Sequence, residues 1–181
     1  MLERHMRLAP RLARTLLLAV IAIGALTACG RGGDDVPSLA ITMFQGADAV
    51  GGEEVQLADV LDRGKPVVLN FYAGLCPPCR AEMPHFQRLH EEYADDVLML
   101  GVDIGPYVFL GSREDAKRLL VDLDITYPAG TTYQASVISD FVIPAMPTTL
   151  FITRNGKVLD RWEGFLPESK AREYFTRLAA P

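Results

Sequence analysis

The stretch Leu69–Phe86, LNFYAGLCPPCRAEMPHF, holds two of the chain's three cysteines with only two residues between them, where an apolar run gives way to a helical pattern. The run PVVLNFYA (66–73) is apolar throughout except for Asn70, as a strand covered on both faces requires. From Cys76 onward, Met83, Phe86 or Gln87, Leu89 or His90, and Tyr93 recur along one side of a helix that contains Pro84. The cysteine pair therefore sits where a buried strand enters a helix N-terminus. Free backbone amides and the helix dipole there favour a thiolate at Cys76. Cys79, one turn deeper, can attack a mixed disulfide formed at Cys76, so the spacing predicts an outer nucleophile and an inner resolving thiol.

Two competing readings of the pair are weaker. A structural zinc site needs four ligands. Only His85 and His90 lie nearby, and five positions apart on one helix is a poor match for neighbouring turns. No histidine follows His90, which also disfavours a copper carrier. A purely structural disulfide would close too small a loop to constrain the unfolded chain much. The sequence predicts no metal and no cofactor beyond the redox-active Cys76–Cys79 disulfide.

The 181 residues are 49% hydrophobic, enough for one domain with a core that needs no covalent staple. The beginning of the chain differs from the rest. Arg4, Arg7, Arg11 and Arg14 precede the apolar run TLLLAVIAIGAL (15–26), the order of a secretory signal. That run is shorter than the roughly 20 residues a spanning helix needs. The following LTAC (26–29) resembles the lipobox of bacterial lipoproteins, with an ordinary signal or uncleaved anchor as the alternative. The resemblance implies residues 1–28 as a lipoprotein signal peptide and residues 29–38 as a lipidated Cys29 with a flexible tether. Residues 39–181 are then the folded domain, outside the reducing cytosol, where a dithiol can cycle. Without its first 28 residues the chain keeps 14 basic and 22 acidic side chains, a formal charge of −8. A surface that acidic excludes ordinary nucleic-acid binding and is repelled by anionic lipid, leaving membrane attachment to the anchor.

The remaining segments alternate between strand-like and helix-like. AITMF (40–44) predicts a strand, VQLADVLDRG (55–64) a helical turn closed by Gly64, and VLMLGVDIG (97–105) a second buried strand. SREDAKRLLVDLDI (112–125) predicts a helix with Ser112 as N-cap and Asp115 three residues on. ASVISDFVI (135–143) comes next as a short helix. TTLFITR (148–154) and KVLDRWEGF (157–165) are joined by the turn signal Asn155-Gly156, before a closing helix over 167–179. Two buried strands around a helix make a right-handed parallel βαβ unit, and the hairpin adds an antiparallel pair. The expected fold is α/β, a mixed sheet with helices on both faces.

FYAGLCPPCRAEMPHF (71–86) and AMPTTLFITRNGKVLDRWEG (145–164) together resemble the membrane-anchored thioredoxin-like reductases of the TlpA/ResA family, over roughly Leu39–Ala180. The resemblance implies a thioredoxin fold and reduction of disulfides in exported proteins, several members acting on apocytochrome c. It also implies a membrane thiol-disulfide electron donor, and a monomer is expected. Carried over by position, Cys76 is the nucleophile and Cys79 the resolving thiol. Pro147 is the cis-proline opposite them, leaving the Met146 backbone, with Thr148 beside it, to pair with an extended substrate. Pro144 is the weaker cis candidate. Glu82 takes the place of a family glutamate close to the thiols, where a carboxyl group raises their pKa values and relays protons. Asn70 stands where thioredoxins carry a buried aspartate.

The sequence departs from the family at Leu75 and Tyr72, positions that usually or often hold tryptophan, which alters the rim a substrate touches. Pro77 and Pro78 bring no N–H to the helix N-terminus. Weaker thiolate stabilisation favours a reductant over a disulfide oxidase or isomerase of the same fold. GPYVFLGS (105–112) is unusually apolar for a loop, so Tyr107 and Phe109 are candidates to join Leu75 and Pro77 in a substrate-facing rim. The alternative is that they fill the protein's own core. A thiol peroxidase would carry threonine three residues before its reactive cysteine, where this chain has Ala73.

Overall fold

The computed structural model describes residues 36–180; the expected leader, the expected lipidation site Cys29 and the expected tether up to Asp35 lie outside the described residues. In chain order the elements are β1 (Ala40–Gln45), α1 (Ala47–Val50), β2 (Glu54–Gln56), α2 (Leu57–Leu61), β3 (Val67–Tyr72), α3 (Pro77–Glu92) and β4 (Leu98–Asp103). Beyond these come α4 (Gly105–Val108), α5 (Arg113–Asp122), β5 (Ala129–Thr131), α6 (Val137–Asp140), β6 (Thr148–Ile152), β7 (Val158–Glu163) and α7 (Glu168–Ala179).

The strands form one mixed sheet in the order β2-β1-β5-β4-β3-β6-β7. β3 runs parallel to β4, and β4 parallel to β5, while the other neighbours are antiparallel. The predicted βαβ unit is β3–α3–β4. All six residues of β3 are buried, because the strand has a hydrogen-bonded neighbour on each side and an apolar layer on each face. Val68 and Tyr72 point into a core shared with α3, α5 and α7. Val67, Leu69 and Phe71 point into a second core shared with α2, Val137 and Phe141. Phe71 meets Phe141 edge-on at 4.9 Å between ring centroids. Each large apolar side chain taken from water stabilises the fold by roughly 1.5–3 kcal/mol, so this central strand is the most firmly placed part of the sheet.

Two local expectations are corrected and one strand is added. Val55 and Gln56 do not begin a helix but pair with Ile41 and Ala40 as β2, with α2 starting at Leu57. β5, in a stretch given no element from the sequence, fills the gap between β1 and β4. Gly130 allows this, since a Cβ there would stand 2.5 Å from the Thr42 carbonyl oxygen. The apolar segment after β4 opens as the single helical turn α4.

The cap of α5 is as predicted. Ser112 Oγ accepts from the Asp115 N–H, and the Asp115 carboxylate accepts from the Ser112 N–H, closing a capping box. The same turn is packed against the active-site approach: a Cβ on Gly74 would lie 2.4 Å from Ala116 N and from Asp115 C. Among the described residues no helix is long and apolar enough to cross a membrane. Ser112→Ala removes one side of the box and is expected to cost about 1 kcal/mol. Urea unfolding reads this as a lower midpoint, and an unchanged midpoint would show that the cap contributes nothing.

Candidate active site

β3 ends at Tyr72, and Ala73–Leu75 carry the chain to Cys76, the N-cap of α3, in the extended conformation a cap requires. Pro77 and Pro78 fill the first helical positions, where a missing N–H breaks no helical bond. The amide of Cys79 is thus the first the helix can offer, and it points at Cys76 Sγ from 3.2 Å. The two sulfurs are bonded at 2.06 Å, with the Cα atoms 5.3 Å apart. Cys79 is fully buried and Cys76 is only 2% exposed. Cys76, at the cap, stands one turn before Cys79, and in the disulfide form both sulfurs are enclosed. As N-cap, its side chain folds back over the first turn to meet the Cys79 amide and sulfur. Exposed Leu75 and Pro77 flank it.

Glu82, one turn beyond Cys79, is also fully buried. Its Oε1 accepts from Asn70 Nδ2 at 2.9 Å, and its Oε2 from the Leu166 N–H at 2.9 Å. Asn70 Nδ2 also donates to Thr149 Oγ1 at 2.9 Å, while Asn70 Oδ1 is buried with no donor among the described residues. Burial pushes the Glu82 carboxyl up to about 8, against the pull of the Leu166 and Asn70 bonds. The Tyr127 hydroxyl, buried and unpaired among the described residues, is raised in turn by burial and by the nearby Glu82 charge. The partners of Glu82 come from β3 and from the segment before α7. Only Asn70 had a sequence signal, as the one polar residue in an apolar strand.

The Met146–Pro147 bond is cis, as expected, and Pro144 is not. Thr148 pairs with Phe71, so Pro147, immediately before β6, lies beside the end of β3, on the edge from which Cys76 emerges. Thr148 is buried, its hydroxyl donating to the Ala145 carbonyl at 2.7 Å, and Met146 is half-buried. Beside Met146 a groove of about 340 Å³ is lined by Val108, Leu110, Ile143, Pro144 and Ala145.

The two rim candidates part company. Tyr107 turns inward: its ring packs on the second core and its hydroxyl donates to the Thr132 carbonyl at 3.2 Å. Phe109 is 95% exposed. It closes α4 in the left-handed region at φ 56°, which faces its ring to solvent. Val108 and Leu110, from the same apolar run, line the groove. His85 and His90 are half-buried, as expected of helix residues. Among the described residues no three His, Cys, Asp or Glu side chains converge as a metal site would need.

A mixed sheet whose central strand delivers a CXXC disulfide to a helix N-terminus, with a cis-proline on the same edge, defines a thioredoxin-fold thiol-disulfide oxidoreductase. Residues 33–161 match the AhpC/TSA family, and the chain belongs to that family. It is 35% identical over 145 residues to the thiol-disulfide oxidoreductase ResA of Oceanobacillus iheyensis, covering 75% of this chain and 71% of that one. It is 30% identical over 125 residues to the thioredoxin-like protein YneN of Bacillus subtilis, covering 68% and 70% of the two chains. A crystal structure assigned to a thiol:disulfide interchange protein DsbE of Chlorobium tepidum superposes with a TM-score of 0.66 at 25% identity, covering 82% of this chain and 97% of that one.

The raised Glu82 value sets a sign. Between about 4.5, where the unfolded carboxyl loses its proton, and about 8, the native state holds a proton that the unfolded state has released. Glu82 therefore withdraws stability as pH rises through that window. Glu82→Gln cannot titrate, so its stability relative to the parent is expected to rise from about pH 5 to about pH 8 in urea unfolding. A constant or falling difference would show that the native carboxyl is already ionised at the lower pH.

Proposed function

We propose that the chain is an extracytoplasmic protein-disulfide reductase that works through Cys76 and Cys79 and is held at the membrane by a lipidated Cys29. Its substrates are exported proteins bearing disulfides, apocytochrome c among them, and a membrane dithiol protein restores its electrons. The observation that carries the direction is the pair of prolines: Cys76 Sγ receives the Cys79 amide, and Pro77 and Pro78 have none to add. A thiolate held by few donors gives up its electrons more readily.

In the reduced protein the Cys76 thiolate attacks one sulfur of the substrate disulfide, which expels the other as a thiolate that takes up a proton. Cys79 then loses its proton and attacks Cys76 Sγ. This re-forms the Cys76–Cys79 bond and releases the second substrate thiol, with two electrons passed to the substrate. Glu82 is the nearby base for the Cys79 proton, its raised value bringing it close to that of a thiol. Asn70 suits both states of that carboxyl. Its Nδ2 donates to Glu82 Oε1 and to Thr149, an arrangement that serves the ionised form. A half-turn of the amide would present Oδ1, which can accept from a protonated Glu82 and from the Thr149 hydroxyl. Met146 beside the cis-proline offers its backbone to an extended substrate, and Leu75, Pro77 and Phe109 form the apolar surround. The peroxidase alternative lacks its threonine, because the position holds buried Ala73.

Equilibration of residues 30–181 in graded thiol–disulfide buffers is expected to give a midpoint below roughly −220 mV. Cys79→Ser is expected to stop at a mixed disulfide through Cys76 that gel electrophoresis without reductant displays. A midpoint above about −180 mV would make the protein an oxidant or isomerase. Phe109→Ser is expected to leave the unfolding midpoint within error and to lower kcat/KM for a disulfide-bonded protein about threefold or more. That corresponds to losing part of one apolar contact. An unchanged kcat/KM would remove Phe109 from the substrate surface.

A further inference from the structure

Asp103, the last residue of β4, is a fully buried carboxylate with no part in the steps above. Its Oδ1 accepts from the Gly105 N–H at 2.9 Å, and its Oδ2 accepts from Thr131 Oγ1 at 3.3 Å. The Gly105 carbonyl accepts from the Leu110 N–H at 3.0 Å, and the Leu110 carbonyl accepts from the Leu75 N–H at 2.8 Å. Leu75 is bonded to Cys76. Three successive hydrogen bonds thus run from the buried carboxylate to the amide of Leu75, the residue immediately before Cys76.

Packing closes the same path. A Cβ on Gly105 would stand 3.0 Å from Asp103 Oδ1, 3.0 Å from the Gly111 carbonyl oxygen and 3.3 Å from Ala73 Cβ. One on Gly111 would stand 3.0 Å from Leu75 Cγ. Both ends of the segment 105–111 are therefore packed closely, Gly105 against Asp103 and Ala73, and Gly111 against Leu75. The other polar and charged groups near Asp103 are the Tyr72 hydroxyl from β3, and Arg113 and Asp115 from α5. Arg113 donates to the Thr132 carbonyl and the Tyr107 hydroxyl, and Asp115 is committed to the Ser112 cap.

We propose that Asp103 is a positioning residue for the redox pair, acting through Gly105, Leu110 and Leu75 to hold the backbone that presents Cys76. The inference rests on the reading of Cys76 as the attacking sulfur. Small displacements of a reacting group cost large factors in rate, so an anchor at this distance matters to the chemistry without touching it.

Asp103→Val keeps the shape of the side chain in a strand position that favours it but cannot accept the Gly105 N–H. Asp103→Asn keeps an acceptor there and loses the charge. The Val protein is expected to fold with a Leu75 amide that exchanges with solvent at least tenfold faster than in the parent. Its kcat/KM for a disulfide-bonded protein should fall about tenfold, with amides of β7 unaffected. The Asn protein should stay within about twofold of the parent on both readings. In the unsubstituted protein the Gly105, Leu110 and Leu75 amides should share one opening equilibrium, which keeps the test available if the Val protein does not fold. Parent-like exchange at Leu75 in the Val protein, unrelated opening of the three amides, or an Asn protein no better than Val would each overturn the proposal. If the parent itself reduced no disulfide, the functional reading would fall, and the exchange data would still decide the role of Asp103.

Discussion

The carboxyl end of β3 carries the chain from the middle of the sheet straight to the first turn of α3, and the site takes its geometry from that strand. β3 is paired on both sides and covered on both faces, so Tyr72 has almost no freedom to move. The three residues between Tyr72 and Cys76 inherit that fixity. Antiparallel β6, in register with Phe71 through Thr148, brings the cis Met146–Pro147 bond to the same edge. Parallel β4 brings Asp103 and the segment after it to that edge as well. Ligand chemistry at the carboxyl ends of parallel strands is here a result of where the best-buried strand stops.

The second constraint is electrostatic. A carboxyl group placed in an apolar layer is strongly disfavoured by lost hydration unless it holds a proton or finds donors. Glu82 finds two donors, and its value still rises to about 8. Burial therefore outweighs the hydrogen bonds. The result is a carboxyl group that holds its proton into the range where a free thiol titrates, on the same helix as Cys79 and enclosed between the sheet and the segment that leads into α7. Asp103, with its own donors, is pushed up to about 6 for the same reason.

Legibility in the sequence tracks how local each feature is. The continuous apolar run of β3, the Ser112–Asp115 cap, the Asn155-Gly156 hairpin and the CXXC at a helix start are each decided within a few residues, and each is where it was expected. β2 and β5 are three residues long and exist because β1 and β4 offer free edges, which no window of sequence shows. The partner of Glu82 at Leu166 lies 84 residues away in a stretch without a motif. Tyr107 and Phe109 share a composition and differ only in backbone: one follows a helical turn into the core, the other breaks it at positive φ and leaves. The burial of Cys76 depends on a side-chain torsion at the cap, which residue type does not fix.

Ala73, Gly74 and Leu75 form the whole bridge between sheet and redox helix, and they differ sharply in what they tolerate. Ala73 is enclosed, and Gly74 has backbone atoms of α5 where a side chain would begin. Leu75 alone has its side chain largely in solvent, at 60% exposure, while its amide is tied down from behind by Leu110. Change along this bridge is therefore channelled: drift at the first two positions weakens the fold, whereas Leu75 can be exchanged for other side chains as a replaceable tip on a fixed mount.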